Sequence, residues 1–349
     1  MVLLLLIPVI AAAQTENCIT RKSFAARNGD WLAVTGKYGE IKINSTGLDS
    51  IIVCSTISIR QKDPALLEKS MSMIGTIIEK RIDTVSVRTS FDEKFFAPPY
   101  NTSRISFSVN YSITVPEGVN LKISNSFGDV YVDNCKGSAD IKVSHGNIIA
   151  GKLSRGNIKP VNSVYADFGN ITIDEANWVT LNAINCPAVS IGAVQAAVIS
   201  SRFSSIYAGM ANSIVCDSKS DIINIQSVSN VVMESTYSVF DAGYLKGKML
   251  AETSYGSVSI GELSREFSLV DIRSTHTSVS IKVQGDASFA SDISLSGGAI
   301  DIPLATNPYL KSQSGYGTTF ISGFWGNRQS SGSVVRIKAH GGKIVINDR

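Results

Sequence analysis

An all-β repeat architecture, a β-solenoid of about 19–20 residues per coil, is what this 349-residue sequence predicts, and three observations predict it. A phrase of aromatic, glycine, polar residue and alternating aliphatics keeps returning. It reads SNSFGDVYV from Ser124, VSHGNIIA from Val143, ADFGNITI from Ala166, TSYGSVSI from Thr253 and THTSVSI from Thr275. The turn residues that anchor it are Gly128, Gly146, Gly169, Pro187, Ser204, Ser220, Ser238, Gly256, Thr277, Gly298, Gly317 and Gly342, about 19 residues apart on average, inside the range of stacked repeat units. Around the anchors apolar residues alternate, as at Val130 and Val132, Ile171 and Ile173, Val279 and Ile281, and Ile344 and Ile346. Period two marks strands with one buried face.

The bulk properties agree. The chain is 44% hydrophobic and only 17% charged, with 28 glycines and a net charge of +3. It is too apolar for disorder, and its scattered Lys and Arg form no basic face for nucleic acid.

Taken in order, residues 1–13 open with an apolar run from Val2 to Ile10 followed by Ala11-Ala12-Ala13, the pattern of a secretory signal cleaved after Ala13. No Lys or Arg precedes the run. The run is too short to span a bilayer, and no later segment has eighteen consecutive apolar residues, so the mature chain carries no expected transmembrane span. Residues 14–116 read as a β-rich cap with one helix near 64–82: Asp63 as N-cap, Pro64 at the first position, and Leu67, Met71, Ile74 and Ile78 on one face. Covering the first coil would hide strand edges that otherwise invite aggregation. The turn phrase already appears there as Lys37-Tyr38-Gly39-Glu40-Ile41. Residues 117–349 form the repeat domain. One unit cannot bury its apolar face, whereas stacked units can.

The block VPEGVNLKISNSFGDVYVDNCKGSADIKVSHGNI, Val115 to Ile148, closely resembles the adhesin β-strand-repeat family of exported bacterial proteins, common in Bacteroidetes. Residues 24–60 fit its opening strands, and the turns Tyr237-Ser238, Tyr255-Gly256 and Tyr316-Gly317 fit its later coils. The resemblance implies a β-solenoid, export to the envelope or surface, and a role in adhesion. It brings no catalytic residues.

The candidate chemistry is sparse. The five cysteines, Cys18, Cys54, Cys135, Cys186 and Cys216, are an odd, dispersed set; the last three read as buried apolar groups. The histidines, His145, His276 and His340, show no ligand spacing, with His145 and His276 far apart in the repeat. Asp129 and Asp221 read as sharing one phase of the repeat, with Asn147 and Asn170 at the same place on intervening coils, a mixture that suits turn geometry. No metal, cofactor or catalytic residue is expected, and the chain reads as non-enzymatic. The aromatic slot is the sharper feature. Phe127, His145, Phe168, Phe203, Tyr237, Tyr255, His276 and Tyr316, beside Gly128, Gly146, Gly169 and Gly256, predict a ladder along one edge. Counting by two from each ring reaches core residues, which predicts a buried structural ladder. Tyr237, Tyr255 and Tyr316 are the candidates for partner contact, with a glycan or an envelope or host protein as the partner. Two alternatives stand beside this binding role. One is a carbohydrate-active enzyme, which two or three carboxylates within about 5–9 Å on one exposed face would favour. The other is a periplasmic scaffold without ligand.

Overall fold

The computed structural model describes residues 14–97, 105–326 and 332–348, and of residues 14–19 only the backbone. The signal expected over residues 1–13 and the Pro98-Pro99 loop lie outside these residues. The described chain is all-β: 24 strands join one continuous, open hydrogen-bonded sheet, and one α-helix, Pro64–Ser72, accompanies them.

The middle of the molecule is the most regular. Strands Ile171–Ile184, Val189–Arg202, Ser205–Lys219, Ile222–Thr236 and Val239–Ser254 pair in parallel, each with the next in sequence. The register sets Ile171 against Val189, Val189 against Ile206, Ile206 against Ile223 and Ile223 against Phe240. Like therefore stacks on like.

Burial shows why these long strands are not straight. In Val189–Arg202 the buried residues are Val189 and Ile191, then Val194, then Ala197, Ile199 and Ser201. In the next strand the buried side chains are Ile206 and Ala208, then Ala211, then Ile214, Cys216 and Ser218. Alternation by two is interrupted twice per strand by a step of three, and each interruption rotates the apolar set to a new inward direction. Burying an aliphatic or aromatic side chain contributes about 1.5–3 kcal/mol. Columns such as Val194–Ala211–Val228–Leu245, all buried, therefore lock the register. A slip by one residue would turn the set to solvent.

Both ends depart from sequence order. Strands Trp31–Lys37 and Ile41–Thr46 lie between Thr84–Phe91 and Ser106–Pro116 on one side and Asn120–Ser126 and Val130–Cys135 on the other, all in parallel. Beyond them the pairing becomes antiparallel: Ile74–Arg81 on Thr84–Phe91, and Ser50–Gln61 on Ser106–Pro116, with Gln14–Ala25 outermost. At the other end the last strand, Val334–Asn347, inserts between Leu269–Val283 and Phe289–Ser296. Phe289–Ser296 then pairs antiparallel with Thr318–Trp325, and that strand with Leu310–Gly315. The anchors near Gly298, Gly317 and Gly342 thus do not follow one another in space. Gly342 lies opposite Thr277, and Gly317 belongs to an antiparallel hairpin.

The helix is shorter than the sequence predicts. Asp63 caps it through Ala65 N–H (2.9 Å) and Pro64 occupies its first turn, as expected, but it stops at Ser72. Residues Ile74–Arg81 form a strand instead. Ile74 and Ile78 share a face in either geometry, because i and i+4 lie together on a helix and on a strand. Gly75 and the β-branched Thr76, Ile77 and Ile78 decide the outcome.

Candidate functional site

One corner of the stack carries the recurring phrase. The residue that makes each corner turn has a left-handed backbone: Tyr38 (φ 61°), Phe127 (60°), His145 (57°), Phe168 (55°), Asn185 (52°), Phe203 (53°), Ser220 (58°), Tyr237 (56°), Tyr255 (56°) and His276 (49°). The aromatic, rather than the glycine, makes the sharp turn. Its N–H donates to a carbonyl of the neighbouring turn, as from Phe127 to Ser144 O (2.9 Å), His145 to Asp167 O (2.9 Å) and Tyr237 to Ser254 O (2.9 Å). The glycine serves close approach: a Cβ on Gly169 would collide with the backbone oxygen of Gly146, and one on Gly146 with that of Gly128.

The turn residues form rungs. Tyr38, Phe127, His145 and Phe168 stack with centroid separations of 5.2, 5.0 and 5.1 Å. Tyr237, Tyr255 and His276 form a second stack at 5.1 and 5.4 Å. Between the stacks lie Asn185, Phe203 and Ser220. The ladder is exposed, against the burial that parity predicts: Phe127 is 48% exposed, Phe168 54%, Phe203 61%, Tyr237 60% and Tyr255 49%, and His145 and His276 are exposed too. The reason is the left-handed turn, which breaks the alternation at the ring position and swings the side chain outward. Tyr316 is not a rung. It sits fully exposed at the hairpin turn between Leu310–Gly315 and Thr318–Trp325.

Inside the corner, the position after the left-handed residue is Gly128, Gly146, Gly169, Cys186, Ser204, Asp221, Ser238, Gly256 and Thr277. The register at Pro187 and Ser220 is therefore one residue away from the expected anchors. Asp221 does not share a phase with Asp129. It is 2% exposed, and its carboxylate accepts from Ser201 Oγ (2.7 Å), Ser218 Oγ (2.7 Å), Ser204 N–H (2.7 Å) and Lys219 N–H (3.0 Å). Asp129, Asn147 and Asn170 do stack, one position further on. Asn147 donates to Asp129 Oδ1 (3.0 Å) and Asn170 to Asn147 Oδ1 (3.0 Å), the polar ladder their turn chemistry predicts.

Two groupings escaped the sequence. On the face leading into the corner, Asp217, Glu234 and Glu252 stand opposite one another on adjacent strands, followed by Arg273. Parallel strands lie about 4.8 Å apart, so this is a column of three exposed acids, with Glu252 paired to Arg273 at 3.1 Å. A groove of about 680 Å³ runs beside Glu234, Glu252, Arg273, Lys338 and His340. The second grouping is His276 and His340, whose rings meet at 5.6 Å because the last strand inserts there; His340 Nδ1 also lies 2.8 Å from Ser296 Oγ. Among the described residues no three His, Cys, Asp or Glu side chains gather to hold a metal.

A larger groove, about 750 Å³, lies elsewhere, beside Trp31, Leu48, Glu117, Lys136 and Arg155. Its cations are already engaged: Lys136 with Glu117 at 2.5 Å, and Arg155 with the carbonyls of Ile158 and Pro160. The corner ladder is therefore the stronger candidate surface. Cys135, Cys186 and Cys216 are buried free thiols. Burial pushes Cys135 up to about 11 and Cys216 to about 12. Cys54 is also free and partly buried.

No family model matches this chain, and no curated protein matches it. Solved structures do. A "putative cell adhesion protein" from Clostridium sporogenes is 10% identical, with 96% of this chain and 100% of that one covered and a TM-score of 0.19. Two structures each described as a "putative adhesin" also match. The one from Parabacteroides merdae is 11% identical over 76% of this chain and 92% of that chain, with a TM-score of 0.34. The one from Bacteroides fragilis is 10% identical over 95% and 97%, with a TM-score of 0.30. Likeness this distant does not carry a role from those proteins to this one.

Proposed function

We propose that the chain is an exported, non-enzymatic β-solenoid of the cell envelope or surface, which binds a glycan or protein partner along its exposed aromatic corner. The parallel register, the twice-restarting burial pattern and the repeated left-handed turn support the solenoid reading. In it, residues 14–116 cap the first coil and residues 117–349 carry the repeat. No helix among the described residues is long and apolar enough to cross a membrane.

The observation that carries the binding role is the exposure of the ladder. A left-handed non-glycine residue costs about 1–2 kcal/mol, and an aromatic pair returns about 0.5–1.5 kcal/mol. The two nearly cancel, so stability alone does not account for a row of half-exposed rings. Exposed aromatic surface of this kind serves recognition, and a rigid row of similar sites multiplies weak contacts.

The test is binding of the purified protein to arrays of glycans and of envelope and host proteins, compared with a Tyr237→Asn/Tyr255→Asn variant. Asn accepts this backbone, as Asn185 shows. The variant should lose at least about tenfold in affinity, or 1.4 kcal/mol; unchanged binding sinks the proposal.

The column Asp217–Glu234–Glu252 favours a second reading, a carbohydrate-active enzyme with Glu234 and Glu252 as the working pair. Against it, Glu252 is 61% exposed and already paired with Arg273, whereas acid–base catalysis gains from a site closed to water. Release of reducing ends from polysaccharides, abolished by Glu234→Gln, would establish the enzyme and overturn the non-catalytic role.

A further inference from the structure

The ladder has two gaps, and they fall next to each other. Asn185 replaces a ring between Phe168 and Phe203, and Ser220 replaces one between Phe203 and Tyr237. Elsewhere each ring covers its neighbour's face, because separations of 5.0 to 5.4 Å and small interplanar angles leave only edges to solvent. At a gap the faces open. Two strand spacings, about 10 Å, separate the walls, which is room for one ring-shaped group stacked on both sides. Exposure follows this logic: Phe203, with a gap on each side, is 61% exposed and Tyr237 60%, against 48% for Phe127 and 49% for Tyr255, which sit inside stacks.

The floors and rims of these slots identify the guest. The Asn185 amide and the Ser220 hydroxyl make no hydrogen bond among the described residues; only their backbone N–H groups are engaged, with Arg202 O and Thr236 O. A purely aromatic guest would desolvate both polar groups without replacing their water. A pyranose has apolar C–H faces for the walls and hydroxyls for the floor. On one rim stand Arg202 and Lys219, opposite each other on adjacent strands, exposed and without an ion pair among the described residues. Asp217 lies two positions further from the turn on the Lys219 strand, with Glu234 opposite it on the next strand. The opposite rim of the Ser220 gap is apolar, with Ile222 and Val239 50% and 43% exposed.

Resting on the aromatic-corner role proposed above, we infer that the two missing rungs are slots for a terminal acidic pyranose, a uronic-acid residue at the end of a glycan. Phe168, Phe203 and Tyr237 form the walls, Asn185 and Ser220 the floors, and Arg202 and Lys219 receive the carboxylate. The ring planes lie across the stack, so a slot takes a chain end or branch tip rather than a polymer running along the edge.

The experiment compares binding of a glucuronate-terminated oligosaccharide, its glucose-terminated counterpart and a peptide ending in phenylalanine. Filling the gaps tests the slots without disturbing the fold, because Ser220→Tyr and Asn185→Phe restore side chains that neighbouring turns carry natively. The glucuronate-terminated ligand should bind the native protein most tightly. Ser220→Tyr with Asn185→Phe should weaken it at least tenfold while the melting temperature holds or rises. Arg202→Gln with Lys219→Gln should reduce it to the level of the glucose-terminated ligand. Glucuronate binding that survives filled gaps overturns the slots, and equal binding of the two glycans overturns the acidic guest. A peptide that binds more tightly and is displaced by Ser220→Tyr replaces the glycan with a protein. Tyr255 borders neither gap. If Tyr255→Asn weakens partner binding while filled gaps do not, the slots fail and the aromatic-corner role stands.

Discussion

Tyr255 distinguishes a left-handed corner from an ordinary strand turn. Its φ is 56°, and its ring stacks on Tyr237 at 5.1 Å and on His276 at 5.4 Å. Tyr255→Ala removes two ring contacts, each worth about 0.5–1.5 kcal/mol, and keeps the strained backbone, so it should destabilise by about 1–3 kcal/mol. Tyr255→Gly removes the same contacts but recovers about 1–2 kcal/mol of left-handed strain. It returns part of that, about 0.5–1 kcal/mol, to the greater freedom of glycine in the unfolded chain. The glycine variant should therefore be the more stable of the two by roughly 0.5–1 kcal/mol. At an ordinary extended position the order is reversed. Urea unfolding of the three proteins, followed by far-UV circular dichroism, reads the order directly. An alanine variant more stable than the glycine variant would refute the left-handed assignment and, with it, the reason the rings face outward.

Asp221→Ala should cost about 2–4 kcal/mol, because it strands two hydroxyls and two N–H groups in a buried corner. Asp221→Asn should cost less, since it keeps one acceptor oxygen; equal losses in urea titrations would contradict the bonding described. Peptide mapping after maleimide treatment at pH 8 should find Cys135 and Cys216 unmodified until the protein is unfolded. The same thiols make the fold sensitive to alkali. Their folded values, about 11 and about 12, lie well above that of an ordinary thiol, so the unfolded chain loses its protons first. Stability from these groups is therefore intact below pH 9 and falls by several kcal/mol as pH rises toward 11–12. Cys216→Ala should flatten that fall, and an unchanged pH profile would remove Cys216 from the account. Removing residues 14–116 should expose parallel strand edges and give an aggregating product; a monomer by light scattering would count against the capping role.

Much of the strand content was legible because strands announce themselves by alternation, and the pairs Ile171/Ile173 and Val279/Ile281 are buried as alternation requires. Most of the ladder's membership was legible too, Tyr316 and Tyr38 excepted, though not its direction. Alternation extended through Phe127 points inward; the structure turns it outward because a single positive φ resets the phase, and Phe and Tyr do not advertise that reset as glycine or Asn does. The off-by-one register at Pro187 and Ser220 has a related cause. Where Cys186 or Asp221 stands in place of glycine, the adjacent Pro187 and Ser220 carry turn chemistry of their own and mark the turn one residue off. Spatial order at the ends was not legible. Nothing local in Val334–Asn347 says that it inserts ahead of Phe289–Ser296, so the pairing of His276 with His340 could not be found by spacing. The acid column could have been found. With the register set by Ile206, Ile223 and Phe240, Asp217 and Glu234 fall 17 residues apart and on the same side.

The claim that this is a surface binding protein is tested most directly by protease digestion of intact cells that produce the full chain, followed with antibody to the purified protein. The account predicts digestion without lysis and, from the same cells, loss of partner binding. Protection until the outer membrane is opened would contradict it and leave a periplasmic scaffold as the role of the fold.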